Sequence, residues 1–387
     1  MIHNCLLLLA RMRRCLVQSV LCVLIKQIIQ MKYKLFLLII FIACVHQFCA
    51  GQQKLKVVLA GLSHDHVNPI LDKQKAGQIE IIGIAEPDLQ LCEKKKKDYQ
   101  LPDSIFFKDL KTALQNKHPD LVMVYEAPAE HLSVVEICMP LHIPVIIEKP
   151  LAFTNEDAAR IKILSEKYNT KVYTNFPSIW YSSFIELLKE SNEAGTINKM
   201  VMRGGHRGPI EVGCSKEFLN WLTDSTKNGG GALIDFGCYG AAIMTEFMHG
   251  KLPVSVYATT RHLKPTMYPK ADDAATIILE YEGATGIVEA SWNWPYTIMD
   301  VEVSGSDGYL HASQFDTPQL QVKNEKESRN ETISTPEYKD GVEYLTAVLK
   351  NGAPDNIEML SLERNLIVAR ILDAARKSAR EGRKILL

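Results

Sequence analysis

Lys149 in the stretch IPVIIEKP, and Asp235 with Tyr239 in NGGGALIDFGCYG, are side chains suited to handling protons and charge. A lysine after a short apolar run supplies a positive charge able to steady an alkoxide. Such a run reads as a buried strand, and the carboxyl ends of strands are where ligands of open α/β sheets bind. Asp235 and Tyr239 stand four apart, so one helix would turn both toward a common substrate. Taken singly, a polar pair at that spacing is the ordinary surface of a helix.

A second group of residues suits nucleotide binding. GLSHDHV, residues 61–67, follows the apolar run KLKVVLA, which is where a dinucleotide's pyrophosphate would sit. Two of the three glycines of G-x-G-x-x-G are here Ser63 and His66. Ser63 is small enough to let a phosphate approach the backbone, and its hydroxyl has a proton to donate; His66 makes the loop slightly wider. A metal held by His64, Asp65 and His66 would need further ligands from elsewhere, and nothing in the sequence nominates them, so no metal is expected. Glu86 ends the next apolar run about 25 residues on, where a carboxylate accepts both ribose hydroxyls of an adenosine and repels a 2′-phosphate. NAD is therefore expected over NADP.

These stretches need a scaffold. From Lys54 to Phe176, short apolar runs (KLKVVLA, IEIIGIAE, SIFFKD, DLVMVYE, PVIIEK, KVYTNF) alternate with helix-like segments, as in a doubly wound parallel sheet. After about Trp180 the rhythm changes to helices followed by strands joined by turns such as YEGAT and GSDG. A mostly antiparallel open sheet with helices on one face is expected there. The closing LSLERNLIVARILDAARKSAREG is amphipathic and stops at Gly382. The α/β chain is thus expected to divide into a targeting region at 1–50, a dinucleotide-binding domain at 51–176, a second domain at 177–350, which the family resemblance given below implies for substrate and oligomer contacts, and a terminal helix at 351–387.

With 387 residues, 47% of them hydrophobic, the chain can bury a large core, and a net charge of −1 offers no broad basic face for nucleic acid. MKYKLFLLIIFIACVHQFCAG, from Met31, has a lysine-bearing start, an apolar stretch and small residues, as in a secretory signal. Its apolar run is shorter than the roughly 20 residues that span a bilayer. Export is expected, with Met31 as the start and cleavage near Ala50 or Gly51. Uncleaved or lipid anchoring, through the run at Leu16 to Ile29 or the box ending at Cys44, is the alternative. Of nine cysteines, Cys92, Cys138, Cys214 and Cys238 follow the signal, and none are spaced as C-x-x-C, so neither zinc nor a redox pair is indicated.

Together the stretches resemble the Gfo/Idh/MocA oxidoreductases, from KLKVVLAG through EKPLAFT and GGGALIDFGCYG to the C-terminus. The resemblance implies a Rossmann domain, a second α/β domain whose open sheet face often forms oligomer contacts, and a final helix packed back on the first domain. It implies Lys149 beside the nicotinamide, Asp235 as the acidic residue of the GGGALxDxG motif, and Tyr239 where many members carry His and a subgroup carries Tyr. His131, in EAPAEH, looks like the His of the family's TPNxxH segment. The implied cofactor contacts are Gly61, Leu62, Ser63, His64, His66, Glu86, Ala127, Pro128, His131, Glu148 and Lys149.

The activity this implies is NAD(P)-dependent hydride transfer on a sugar or related polyol. Tyr239 would serve as base with its phenolate favoured by Lys149, and Asp235 would orient the substrate hydroxyl and Lys149. Arg203, His206, Arg207 and Trp292 are candidates for specificity. Trp180, Trp221, Trp292 and Trp294 offer stacking faces for a sugar ring or, equally, core packing. Two alternatives stand beside this: a glycoside hydrolase or epimerase working by transient oxidation, and a non-catalytic sugar-binding protein.

Overall fold

The apolar run after Lys54 becomes β1 (Lys56–Ala60), whose last four residues are all buried, as in a strand covered on both faces. It lies between β2 (Glu80–Ala85) and β4 (Leu121–Val124) in a parallel six-stranded sheet of order β3-β2-β1-β4-β5-β6. Its other strands are β3 (Phe106–Phe107), β5 (Val145–Glu148) and β6 (Val172–Asn175). SIFFKD therefore contributes only two strand residues. Helices start where side chains can satisfy their free amides: Asp88 accepts from Gln90 and Leu91, and Thr154 accepts from Asp157. The computed structural model describes residues 54–314 and 318–387, with Met31, Lys32 and Lys34. The expected targeting region otherwise lies outside the described residues.

Among the described residues the second sheet has nine strands, in the order β14-β13-β12-β11-β7-β10-β9-β8-β15, the last being Ile385–Leu386. β7 (Ile197–Gly205) and β10 (Ala284–Ser291) run parallel, while β8 (Ser255–Arg261), β9 (Ala274–Tyr281), β11 (Ile298–Gly305), β12 (Tyr309–Ser313), β13 (Gln319–Lys323) and β14 (Ser328–Glu331) pair antiparallel. Every second residue of β10 is buried, which is the pattern of a sheet with one covered face. Helix Gly237–Phe247, buried at ten of its eleven positions, packs on that face. Among the described residues, no helix is long and apolar enough to cross a membrane.

The segment after residue 340 does not divide as the sequence suggests. Helix Gly341–Asn351 lies on the Rossmann domain, through Lys73 with Asp340 (2.6 Å) and Lys350 with Asp120 (2.7 Å). Helix Leu362–Glu381 reaches both sides: the Ser378 hydroxyl accepts from the Ala258 amide of β8, and Arg376 lies over Phe153 beyond β5. β15 (Ile385–Leu386) then extends the second sheet alongside β8. The terminal helix is a tie between domains, not a cover for the first alone. Cys92, Cys138, Cys214 and Cys238 are all free thiols.

Candidate active site

Strand order reverses between β1 and β4, and a crevice at such a point is where open α/β sheets bind nucleotides. Gly61 leaves β1 at φ +82°, and a Cβ there would stand 2.4 Å from the Glu126 side chain and 3.1 Å from the Tyr125 backbone. Only glycine fits. The loop that follows is tightly tied. The Leu62 amide donates to Glu86 Oε2 (2.8 Å), the His64 amide to the Tyr125 carbonyl (3.1 Å), and the His66 amide to His64 Nδ1 (3.1 Å).

Helix Lys216–Leu222 covers this loop from the second-domain side. Trp221 Nε1 donates to Ser63 Oγ (3.1 Å), and the Ser215 amide donates to Asp65 Oδ2 (2.8 Å). The His64 ring lies against Phe218 and Trp221, with centroids 4.4 and 5.3 Å away. Burial, with the charges of His66, Lys149 and His131, keeps His64 neutral. Two expectations are corrected here. The Ser63 hydroxyl is committed to protein partners, and His64, 1% exposed, is a packed brace. His131 is likewise a brace: fully buried, it turns Nδ1 to the Pro150 carbonyl (3.1 Å) and Nε2 to the Glu126 carbonyl (3.2 Å), linking the loops beyond β4 and β5.

The residues present fit a dinucleotide. Glu86 follows β2 with one oxygen on the Leu62 amide and the other on the Asp88 amide (2.9 Å), each keeping a lone pair for a ribose hydroxyl. Burial raises its pKa against those two bonds. The Ser63 and Asp65 amides, in the loop after Gly61, have no acceptor among the described residues. Glu126, which sequence reasoning passed over, packs against that glycine; burial, then Glu130 and Glu86, raise its pKa to about 8.

At the end of β5, Glu148 places Oε2 3.0 Å from His66 Nδ1 and accepts at Oε1 from Asn175 Nδ2 (2.5 Å). Burial opposes its ionisation, but His66, Asn175 and Lys149 together hold its pKa below the ordinary value. Glu148 is the ligand the sequence did not nominate, since candidate ligand atoms of His64, His66 and Glu148 lie within 4.8 Å of one another. In the structure they are joined by hydrogen bonds, Glu148 to His66 Nδ1 and Asn175, and the His66 amide to His64 Nδ1.

Lys149 and Asp235 form the centre of the site. Lys149 Nζ donates to Asp235 Oδ1 (2.8 Å) and to its carbonyl (3.2 Å), while Trp292 Nε1 donates to Asp235 Oδ2 (2.9 Å). Burial disfavours both charges, yet each sustains the other: Lys149 stays well above its usual range, and Asp235 below its own. Tyr239 lies beneath, with Nζ 4.9 Å from its ring centroid. The expected phenolate is corrected. Burial pushes the phenol well above 10, and Lys149 only partly opposes it, because its charge lies over the ring and is balanced by Asp235.

Asp235 and Tyr239 do not share one continuous helix. Helix Ala232–Asp235 ends at Phe236, and a second begins at Gly237. Asp272, just before β9, sets the first: its carboxylate accepts from the Gly231 and Leu233 amides (2.7 and 2.8 Å). A Cβ on Gly231 would lie 1.7 Å from the Asp272 carbonyl oxygen, which explains one glycine of the GGG run. Neither Asp272 nor Glu126 carries a sequence signal. Asn175 does, by its place at the carboxyl end of β6.

Of the specificity candidates, Trp292 bonds Asp235, and His206 is near enough for Asp235 and Lys149 to act on its charge. Arg203 instead pairs with Glu289 (3.0 Å) and Glu302 on the sheet's outer face, and Arg207 is exposed. Trp180 Nε1 donates to Asn175 Oδ1 (3.2 Å), and Trp221 covers the Gly61 loop.

A Rossmann sheet with a glycine at its switch point, a carboxylate just after β2 and a buried lysine just after β5 defines an NAD-binding oxidoreductase. Residues 55–176 match the model of an oxidoreductase family with an NAD-binding Rossmann fold, and residues 185–311 match the GFO/IDH/MocA C-terminal domain. The chain belongs to the Gfo/Idh/MocA family of oxidoreductases. It is similar to the trans-1,2-dihydrobenzene-1,2-diol dehydrogenase of Xenopus laevis, at 23% identity over 76% of this chain and 88% of the relative. The aldose-aldose oxidoreductase of Caulobacter crescentus, solved with glycerol, shares the fold with a TM-score of 0.72 at 19% identity, over 87% of this chain and all (100%) of that one. An inositol dehydrogenase homolog of Azotobacter vinelandii, solved with NAD+, gives 0.73 at 16% identity, over 87% and 98%.

Proposed function

We propose that the protein interconverts a carbinol and a carbonyl on a sugar or related polyol. The observation that carries this reading is the buried Lys149–Asp235–Trp292 network at the carboxyl edge of the Rossmann sheet, with Tyr239 beneath it. Related proteins named as a diol dehydrogenase, an aldose-aldose oxidoreductase and an inositol dehydrogenase homolog support the substrate class.

The loop after Gly61, with the Ser63 and Asp65 amides, and Glu86 would hold NAD, which would supply hydride acceptance and return. Lys149 presents an N–H to the reacting oxygen, and Asp235 fixes the direction of that ammonium and balances its charge. Tyr239 holds a proton at Oη and donates it as an alkoxide forms. In the opposite direction the phenol must first give up that proton, so oxidation should quicken as pH rises. Asp235 is the orienting group for Lys149.

The test is reduced-nucleotide absorbance across a panel of sugars, polyols and diols. Lys149→Ala and Tyr239→Phe should each cut turnover about a hundredfold or more while NAD still binds. Near-normal rates in both variants would remove the assignment. The same reading places a second copy of the chain on the outer face of the nine-stranded sheet, where Tyr257, Ile278, Ile287 and Val201 adjoin across four strands. A strictly monomeric sedimentation profile would count against that contact.

A further inference from the structure

We infer that His206 recognises a second substrate oxygen, donating a hydrogen bond from its imidazole Nε2–H next to Phe236 and the strand end that carries Trp292. The inference rests on the oxidoreductase reading above and adds a specificity-determining contact to the same site.

The position follows from two converging strands. β7 and β10 run parallel to Gly205 and Ser291, and a Cβ on Gly205 would lie 1.9 Å from the Ser291 carbonyl oxygen. The His206 amide donates to that carbonyl (3.2 Å), which sets the residue next to Trp292, the donor to Asp235. The imidazole then packs edge-on against Phe236, centroids 5.1 Å apart. Phe236 also contacts Tyr239, 6.1 Å between centroids, so His206 and Tyr239 both border the residue that follows Asp235.

The tautomer follows from one bond. His206 Nδ1 accepts from the Gly208 amide (3.0 Å), so in the neutral ring this nitrogen carries no proton and Nε2 does. No described residue accepts from Nε2–H, and the ring is half-buried, so that nitrogen is left open to a ligand or to water. The charges bearing on the ring are Asp235 and Glu211, which favour protonation, and Lys149 and Lys264, which oppose it; burial is the largest influence and keeps the ring neutral. A neutral Nε2–H with its other nitrogen occupied is a donor and not a base.

The donor is also held rigidly. Lys264 Nζ donates to the carbonyls of Arg207 (2.5 Å) and Trp292 (2.9 Å) and to Glu211 Oε1 (2.6 Å), tying the turn after β7 to the Trp292 strand end. At Gly208 any Cβ would lie 2.2 Å from the Glu211 carboxylate and 2.4 Å from the Tyr268 hydroxyl. Asp235 already holds Lys149 and Trp292 at its two oxygens, so it can only accept from a substrate hydroxyl and offers no N–H to a substrate oxygen. A preorganised, unpaired N–H can tell one alcohol from another, because an analogue lacking the matching oxygen leaves that donor unsatisfied. The substrate class this selects is an alcohol carrying a second oxygen acceptor near its reacting carbinol, as in a polyol or sugar, over a simple alcohol.

The experiment compares wild type, His206→Phe and His206→Gln on the preferred polyol and on its single-deoxy analogues. The phenylalanine variant should lose about tenfold to a hundredfold in kcat/KM on the polyol, the size of one lost hydrogen bond. On the one analogue lacking the contacted hydroxyl it should match wild type. The glutamine variant, which keeps an N–H, should stay within a few-fold, and NAD affinity should be unchanged in both. Equal losses on every analogue, or no loss in His206→Phe, overturn the inference. Wild type failing on the whole panel overturns the oxidoreductase reading instead. Nitrogen-15 NMR of the histidines separates the two in either event: a resonance absent from His206→Gln should report Nε2–H at neutral pH, and an Nδ1–H or charged ring there overturns the inference by itself.

Discussion

A carboxyl group packed against a phosphate loop would repel the ligand unless it stayed protonated, and Glu126 sits in that position against Gly61. Its folded pKa of about 8 lies above the ordinary 4.5, chiefly because of burial. The folded state is therefore favoured while the group is protonated, and that advantage is lost as pH rises through the folded value. Glu126→Gln never carries the charge. Its melting temperature should match wild type near the ordinary value and exceed it progressively up to pH about 9. NAD affinity should fall over the same range in wild type only. Parallel melting curves would mean that the carboxyl is already ionised. Glu86 has the opposite task, offering lone pairs to ribose hydroxyls. Glu86→Ser should narrow the preference for NAD over NADP; equal affinities in wild type would mean that Glu86 makes no ribose contact.

Among the elements, the short helix Ala232–Asp235 decides whether Lys149 has a partner, and Asp272 decides where that helix begins. Removing a helix cap costs about 1 to 2 kcal/mol, but the larger effect here should be displacement of Asp235. Asp272→Ala should lower the melting temperature and reduce kcat by about tenfold or more, with NAD affinity little changed. Asp272→Asn keeps one acceptor and should recover part of both. Full activity in the alanine variant would show that Lys149 and Trp292 alone orient the carboxylate.

For the whole molecule, the contacts of helix Lys216–Leu222 with the Gly61 loop form a latch between domains. We propose that this latch retains the nucleotide, and that the chain is exported, as read from residues outside those described. An exported oxidoreductase has little free NAD with which to exchange, so its cycle must return the cofactor to its starting state. Such a cycle oxidises one sugar and reduces another, or passes through transient oxidation during hydrolysis or epimerisation. The protein should purify with NAD or NADH and turn over without added nucleotide after dialysis. Trp221→Phe, which lacks the N–H held by Ser63, should lose nucleotide faster. An empty wild-type protein that accumulates NADH stoichiometrically from added NAD would argue for open exchange and against retention.

What the sequence by itself determined is local. Strand runs, Gly61 after β1, Glu86 at the end of β2, Lys149 at the end of β5 and the pair Asp235 and Tyr239 were legible because each follows from hydrophobic period, turn chemistry or a contiguous motif. What tertiary structure decided is which of these groups meet and in what charge state. Lys149 and Asp235 are 86 residues apart, His66 and Glu148 82, and Asp235 and Trp292 57, so their pairing depends on strand order and cannot be read from spacing. Asp272, Glu126 and the donor tautomer of His206 stayed hidden for the same reason. Tyr239 marks the limit most clearly: its identity suggested a base, but burial and the placement of Lys149 over its ring hold the proton on the phenol. Desolvation depends on everything packed around a group, and that packing exists only after the chain has folded.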